Sequence, residues 1–143
     1  MKTIDINLFL DDFRVPYDKK DNTIVNAYSY TQFEKFRTEA WIIVRNYNEF
    51  VEFIETNGVP KFVAYDHDLD DVHYEHDMNS SAPIDYDNYS EFTGYHCAKW
   101  LAEYCQDNGI KYPEYYVHSM NPTGTKNIIS YIENYKKYVE NEN

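Results

Sequence analysis

Four clusters of polar residues in this sequence have the types and spacing that phosphate chemistry needs. The first is Asp11-Asp12 with Arg14. Adjacent carboxylates, joined by Asp66 from a distant segment, supply the oxygen donors that a hard divalent cation such as Mg2+ or Mn2+ takes. Arg14 carries the planar fork that grips a phosphate through two hydrogen bonds, and Arg45, the second cluster, offers another. The third is Asp66-His67-Asp68, in which either acid can orient the imidazole as a general acid or base, or the triplet can ligate a metal. The fourth is His118-Ser119-x-Asn121-Pro122-x-Gly124, where a second imidazole runs into a helix start. Helix-start N–H groups suit a phosphate, and Gly124 permits close backbone approach.

Two imidazoles facing one phosphate meet the needs of opening a cyclic phosphate. His67 and His118 would then share the work: one takes a proton from water, the other gives one to the leaving ribose oxygen. Asp66 and Asp68 favour the charged form of His67, which suits it to be the acid and His118 the base, with the exchanged assignment left open by the residues alone. Each cluster also has a plainer reading, as a solvated loop, a local salt bridge or a helix cap. For His73, His76 and His96 a surface or structural role is the expectation. Glu91 stands just before a helix start from which it can reach the same crevice.

The elements that position these groups follow from the apolar pattern. Ile4, Ile6, Leu8, Phe9 and Leu10 predict a buried strand over residues 4–10, ending at Asp11. Residues 13–38 show no clear period and predict a long irregular segment with a short helix near 31–37. A second strand, 41–44, ends at Arg45. Asn46 and Glu49 have capping-box spacing before a helix whose face is Phe50, Val51, Phe53 and Ile54 and whose stop is Gly58. Pro60 precedes a third strand, 62–65, which ends at Asp66. Residues 70–92 are polar and predict an insertion or lid. Cys97, Trp100, Leu101, Tyr104 and Cys105 mark an amphipathic helix starting after Thr93 and closed by Asn108-Gly109. A fourth strand, 115–117, ends at His118. Thr123 is the expected cap of a last helix carrying Ile128, Ile132, Tyr135 and Val139, with the final residues from Glu140 fraying.

Strands alternating with helices predict one α/β domain over residues 1–143, with about four parallel strands, flanking helices and a polar insertion after the third strand. In such a sheet all strand ends share one edge, and ligands bind where the strand order reverses. The four polar clusters each follow a predicted strand, so they are expected to meet there.

Composition narrows the partners. The formal net charge is −12 over 143 residues, so the chain repels polyanions at long range and duplex DNA is not an expected partner. A small nucleotide or a single RNA-end phosphate remains compatible. No apolar run is long enough to span a membrane and no secretory leader pattern is evident, which predicts a cytoplasmic protein. Cys97 and Cys105 lie eight positions apart in one helix, too far for a disulfide, and read as reduced core residues.

The segments L-F-L-D-D-x-R-x-P (Leu8 to Pro16), Y-D-H-D-L (Tyr65 to Leu69), T-G-Y (Thr93 to Tyr95) and V-H-S-x-N-P-x-G (Val117 to Gly124) resemble the cyclic-phosphate processing receiver-like family. The resemblance implies a receiver-like, flavodoxin-type fold and a role with cyclic phosphates of nucleotides or RNA ends. It aligns Asp11 and Asp12 with the acidic pair of response-regulator receivers, Asp66 with the phospho-acceptor strand end, and Ser119 with the hydroxyl position. The departure is the missing fifth strand and its lysine, which argues against phospho-acceptor signalling. Two functions stay open: a phosphoesterase acting on a cyclic phosphate of a nucleotide, RNA end or ADP-ribose derivative, and a non-catalytic module that binds a nucleotide or phosphate in the same crevice.

Overall fold

The computed structural model describes residues 3–16, 34–69 and 92–142. In chain order these form β1 (Thr3–Leu10), α1 (Lys35–Thr38), β2 (Ile42–Val44), α2 (Tyr47–Asn57), β3 (Val59–Tyr65), α3 (Gly94–Asn108), β4 (Glu114–Val117) and α4 (Pro122–Glu142). Most of the segments at 13–38 and 70–92, with His73, His76 and Glu91, lie outside the described residues. No described helix is long and apolar enough to cross a membrane.

All strand pairings are parallel, in the order β2-β1-β3-β4. The chain leaves β1 toward one side and later returns to its other side, so the order reverses between β1 and β3. That is where a crevice opens beyond the carboxyl ends of an open sheet. Alternation along each strand sends side chains to two different layers. Leu8, Leu10, Val63 and Tyr65 join the large core with Phe50 and Ile54 of α2, Cys97, Leu101 and Cys105 of α3, and Ile128 and Ile132 of α4. Phe9 and Ala64 face the other way, into a small aromatic layer with Phe36 of α1, flanked by Trp41, Ile43 and Tyr116. Both cysteines are buried and free of disulfides.

Three local details differ from the sequence expectation. β3 starts at Val59 and includes Pro60, which pairs with Ile4 of β1. The pairing with β4 begins only at Phe62, so no strand on that side asks Pro60 for the N–H it lacks. The last helix starts at Pro122, and its cap is Asn121 rather than Thr123: Asn121 Oδ1 accepts from the Gly124 N–H at 2.9 Å, and its carbonyl accepts from the Thr125 N–H at 2.8 Å. A proline at the first helical position loses no bond, because that N–H has no helical partner. Beyond Glu140, where fraying was expected, the helix continues to Glu142.

α2 is capped as its sequence suggests, with Asn46 Oδ1 accepting from the Glu49 N–H at 2.9 Å. Glu49 reaches back to the N–H of Arg45, at 2.9 Å, one residue further than the usual box. α3 is capped by Thr93, and His96 takes the role usually played by Glu or Gln, with Nδ1 accepting from the Thr93 N–H at 2.8 Å. His96 is therefore a capping residue, stacked on Phe92 with ring centroids 4.5 Å apart.

Gly94 fixes the distance between α3 and the end of β3. Its N–H donates to the His67 carbonyl at 2.8 Å. A Cβ placed there would lie 1.7 Å from the Asp66 carbonyl oxygen and 2.8 Å from its carbon, both backbone atoms. An exposed helical Gly→Ala change ordinarily stabilises by up to about 1 kcal/mol. Here Gly94→Ala is expected to destabilise by about 2–3 kcal/mol through overpacking. Urea unfolding of the two proteins checks the sign, and an alanine variant as stable as the parent would mean that this contact is looser than described.

Candidate functional site

Leu10 pairs with Tyr65, and Tyr65 with Val117. The next residue on each strand is Asp11, Asp66 and His118, so three chemically active side chains form one row across β1, β3 and β4. One ligand atom from each lies within 4.8 Å of the others. All three are buried, at 0, 1 and 2% exposure, and Arg14 beside them is at 3%.

Asp11 is the hub of this row. Its Oδ1 accepts from the N–H groups of Phe13 and Arg14 at 3.1 and 2.8 Å. Its Oδ2 accepts from Arg14 Nε at 2.7 Å and faces His118 Nε2 at 3.1 Å. The Arg14 guanidinium also reaches Asp66 Oδ1, at 3.2 Å, and so bridges the two carboxylates. Asp66 Oδ1 takes the His67 N–H at 2.9 Å as well, whereas Oδ2 is buried with no hydrogen-bond partner among the described residues. Arg45 braces the turn from outside: its Nη1 donates to the carbonyls of Asp11 and Arg14 at 3.2 and 2.6 Å.

The environment drives the two carboxyls apart. Burial raises the Asp11 pKa, but the hydrogen bond with His118 and the charge and backbone N–H of Arg14 outweigh it and bring the group down to about 2. Burial pushes Asp66 well above the ordinary carboxylate value, and the Asp11 charge adds to the rise, against the opposing charge of Arg14. Burial also lowers the His118 pKa, against the pull of Asp11. With Asp11 ionised, the neutral His118 tautomer that fits donates Nε2–H to Asp11 and keeps its lone pair on Nδ1. The imidazole is stacked on Phe9, with centroids 4.5 Å apart and planes 9° from parallel, and meets the edge of Phe36.

His67 belongs to a second cluster. It lies one position beyond the row, and the alternation that sends Asp66 toward the aromatic layer turns His67 toward the helices of the large core. Its Nδ1 lies 2.7 Å from Asp68 Oδ1 and 3.3 Å from Asn121 Nδ2. Asn121 Nδ2 also lies 3.4 Å from that Asp68 oxygen. The ring covers Gly124, where a Cβ would stand 2.4 Å from its Cγ. His67, Asp68 and Asn121 are all buried.

The sequence matches the family model described as the cyclic-phosphate processing receiver domain over residues 6–134. The chain belongs to that family. The match takes in both clusters, from inside β1 to inside α4. No curated protein and no solved structure matches the chain.

For this receiver domain the row of Asp11, Asp66 and His118 corrects three readings of the sequence. His67 and His118 do not form a facing pair, because period-two alternation separates residues that follow paired strands by one and by two positions. Asp12 is replaced by His118 in the group of possible metal ligands for the same reason, and it is only half-buried. Gly124 gives its space to the His67 ring. Ser119 serves the turn before α4, its Oγ accepting from the Asn121 N–H at 3.0 Å. The roles of Phe9 and Gly94 were missed. A glycine in the first turn of a strong helix was the signal for the second, while stacking by Phe9 left none.

Two carboxylates and an imidazole are a donor set that a divalent cation takes, and Asp66 Oδ2, with no hydrogen-bond partner among the described residues, is the kind of atom that such an ion satisfies. Imidazole beside carboxylate suits Mn2+ better than Mg2+.

Stability should record the strain on Asp66. Its pKa rises on folding, so its contribution is complete below the unfolded value of about 3.9 and is lost as the pH climbs through the folded value. Asp11 acts in the opposite sense, losing its contribution as the pH falls toward about 2, but it is common to parent and variant. Asp66→Asn should therefore raise the melting temperature at pH 8 by about 3 °C or more. The gain should shrink toward pH 4. Thermal melts at the two pH values test this, and a variant less stable at pH 8 would show that Asp66 is not a strained carboxyl.

Proposed function

We propose that this receiver domain opens a cyclic phosphate on a nucleotide, an RNA end or an ADP-ribose derivative by phosphoesterase-type hydrolysis. The observation that carries this reading is the row of Asp11, Asp66 and His118 with Arg14 at the point where strand order reverses. His118 is the base. Its lone pair on Nδ1 takes a proton from water as the water oxygen bonds to phosphorus. The bond from phosphorus to one ribose oxygen breaks, and Asp66 gives that oxygen its proton, leaving a phosphomonoester and a free hydroxyl. Asp11 holds the imidazole in its tautomer and steadies the imidazolium that forms. Arg14 offsets negative charge on the phosphoryl oxygens. A divalent cation held instead by Asp11, Asp66 and His118 would itself supply stabilisation of that charge, in place of the proton transfers by Asp66 and His118. His67, Asp68 and Asn121 hold the β3 end against the start of α4 and so act as positioning residues.

Binding without turnover is the second reading. It is favoured by how completely Asp11, Arg14, Asp66 and His118 are buried and engaged with one another, so that a substrate must part them before it meets the base.

A panel of 2′,3′-cyclic nucleotides, cyclic-phosphate RNA ends and cyclic ADP-ribose phosphates, with and without Mn2+, separates the two. His118→Ala and Asp66→Asn should each lower turnover by about 10²–10⁴-fold, with circular dichroism unchanged. His67→Ala is expected to lose less rate and more stability. Near-parental rates in both of the first two variants on a proven substrate would remove the acid–base mechanism.

A further inference from the structure

We propose that Arg14 is a latch on a divalent-cation site: its guanidinium holds the place between Asp11 and Asp66 that the ion would take, so the latched side chain and the ion exclude each other. The inference rests on the donor set of Asp11, Asp66 and His118 and not on turnover. It goes beyond the proposed hydrolysis by naming what controls loading of the site.

One ligand atom from each of Asp11, Asp66 and His118 lies within 4.8 Å of the others, close enough to surround one ion. A cationic side chain already joins two of them. Arg14 Nε donates to Asp11 Oδ2 at 2.7 Å, and Nη2 reaches Asp66 Oδ1 at 3.2 Å. His118 Nε2 faces the same Asp11 oxygen at 3.1 Å, and Asp11 Oδ1 takes the N–H groups of Phe13 and Arg14. A carboxylate has about four acceptor positions, so Asp11 has none left for an ion until a partner leaves. Two of those partners are backbone groups of the turn, and His118 is itself a ligand in the donor set. The guanidinium is the partner that can go.

Charge points the same way. Asp11 and Asp66, both ionised, carry two negative charges, which a divalent ion balances. The ion together with Arg14 would leave one positive charge over among side chains that are at most 3% exposed, where an unpaired charge is costly. A lysine could meet this by losing its proton. Arginine keeps its charge, so it has to move.

The turn lets the side chain move without the backbone. The Arg14 N–H stays on Asp11 Oδ1 at 2.8 Å, and its carbonyl is held by Arg45 Nη1 at 2.6 Å. Arg45 thus keeps the turn closed while the latch opens. The Arg14 guanidinium carbon lies 5.9 Å from the centre of the Phe13 ring, within cation–π range, and Phe13 is 60% exposed. Phe13 therefore marks the side toward solvent and offers the released cation an aromatic surface.

NMR titration of the parent protein with Zn2+, a diamagnetic ion that takes the same oxygen and nitrogen donors, reads the latch directly. Before the ion is added, the Arg14 Nε–H is bonded to a buried carboxylate and should exchange slowly with water. At saturating Zn2+ that protection should be lost. Mn2+ titrations followed by EPR should show Arg14→Met binding the ion about tenfold or more tightly than the parent, the scale on which groups around metal ligands change affinity. Adding Asp66→Asn to Arg14→Met should abolish the gain. If Arg14→Met does not fold without the ion, the parent titration decides alone. A protected Arg14 Nε–H at saturating Zn2+, an affinity unchanged or lowered in Arg14→Met, a gain that survives Asp66→Asn, or no binding of either ion by parent and variant overturns the proposal. No substrate enters these measurements, so their outcome is separate from whether a cyclic phosphate is hydrolysed.

Discussion

The carboxylate of Asp11 is the group on which the rest of the site depends. It closes the turn after β1 through two backbone N–H groups, anchors Arg14, and sets the tautomer of His118. A buried carboxylate is costly unless it is paired and hydrogen-bonded. Here each oxygen has two partners, which is why Asp11 can stay ionised in a dry setting. Its charge then has a second effect. It raises the cost of ionising Asp66, one strand away, adding to the effect of burial, so the two carboxyls of the row are driven in opposite directions.

The two sides of the sheet share the labour unequally. The face bearing α2, α3 and α4 carries the large core and the cluster of His67, Asp68 and Asn121. The face bearing Phe9, Ala64 and Phe36 carries the row of Asp11, Asp66 and His118. Gly94 and Gly124 are the places where the first face presses hardest on the strand ends, one against the Asp66 carbonyl and one against the His67 ring. A shift of either helix would therefore be felt at Asp66 through backbone that has little room to yield.

Much of this was legible in the residues themselves. The apolar runs ending in Asp11, Asp66 and His118 gave the parallel strands and their common edge, because burial on both faces leaves little other use for such runs. The helix faces around Phe50 and Cys97 followed from periodicity, and Asn46, Gly58 and Gly109 marked ends by local chemistry. What could not be read was the side to which each polar residue turns after its strand. That depends on register between strands far apart in sequence, and a displacement of one position exchanges Asp66 for His67 or Asp11 for Asp12. The stacking of Phe9 on His118 arises from the same register and has no local signature. Asn121, rather than Thr123, caps α4 because Pro122 sets the helix start two residues earlier than the hydroxyl suggests.

Among the described residues the sheet stops at β4, and no fifth strand of theirs lies beside its outer row of N–H and C=O groups. Such an edge can template the addition of another chain. Several features work against this. β4 is only four residues long, too short to offer a long ladder. It opens with the exposed charge of Glu114. The Tyr115 ring is tied back to α4, its hydroxyl donating to Glu133 at 2.6 Å while Lys136 Nζ lies 5.1 Å from the ring centre. An open edge at β4 thus brings a solubility constraint of its own: the residues next to it have to stay brief, charged and anchored, whatever the crevice at its end comes to bind.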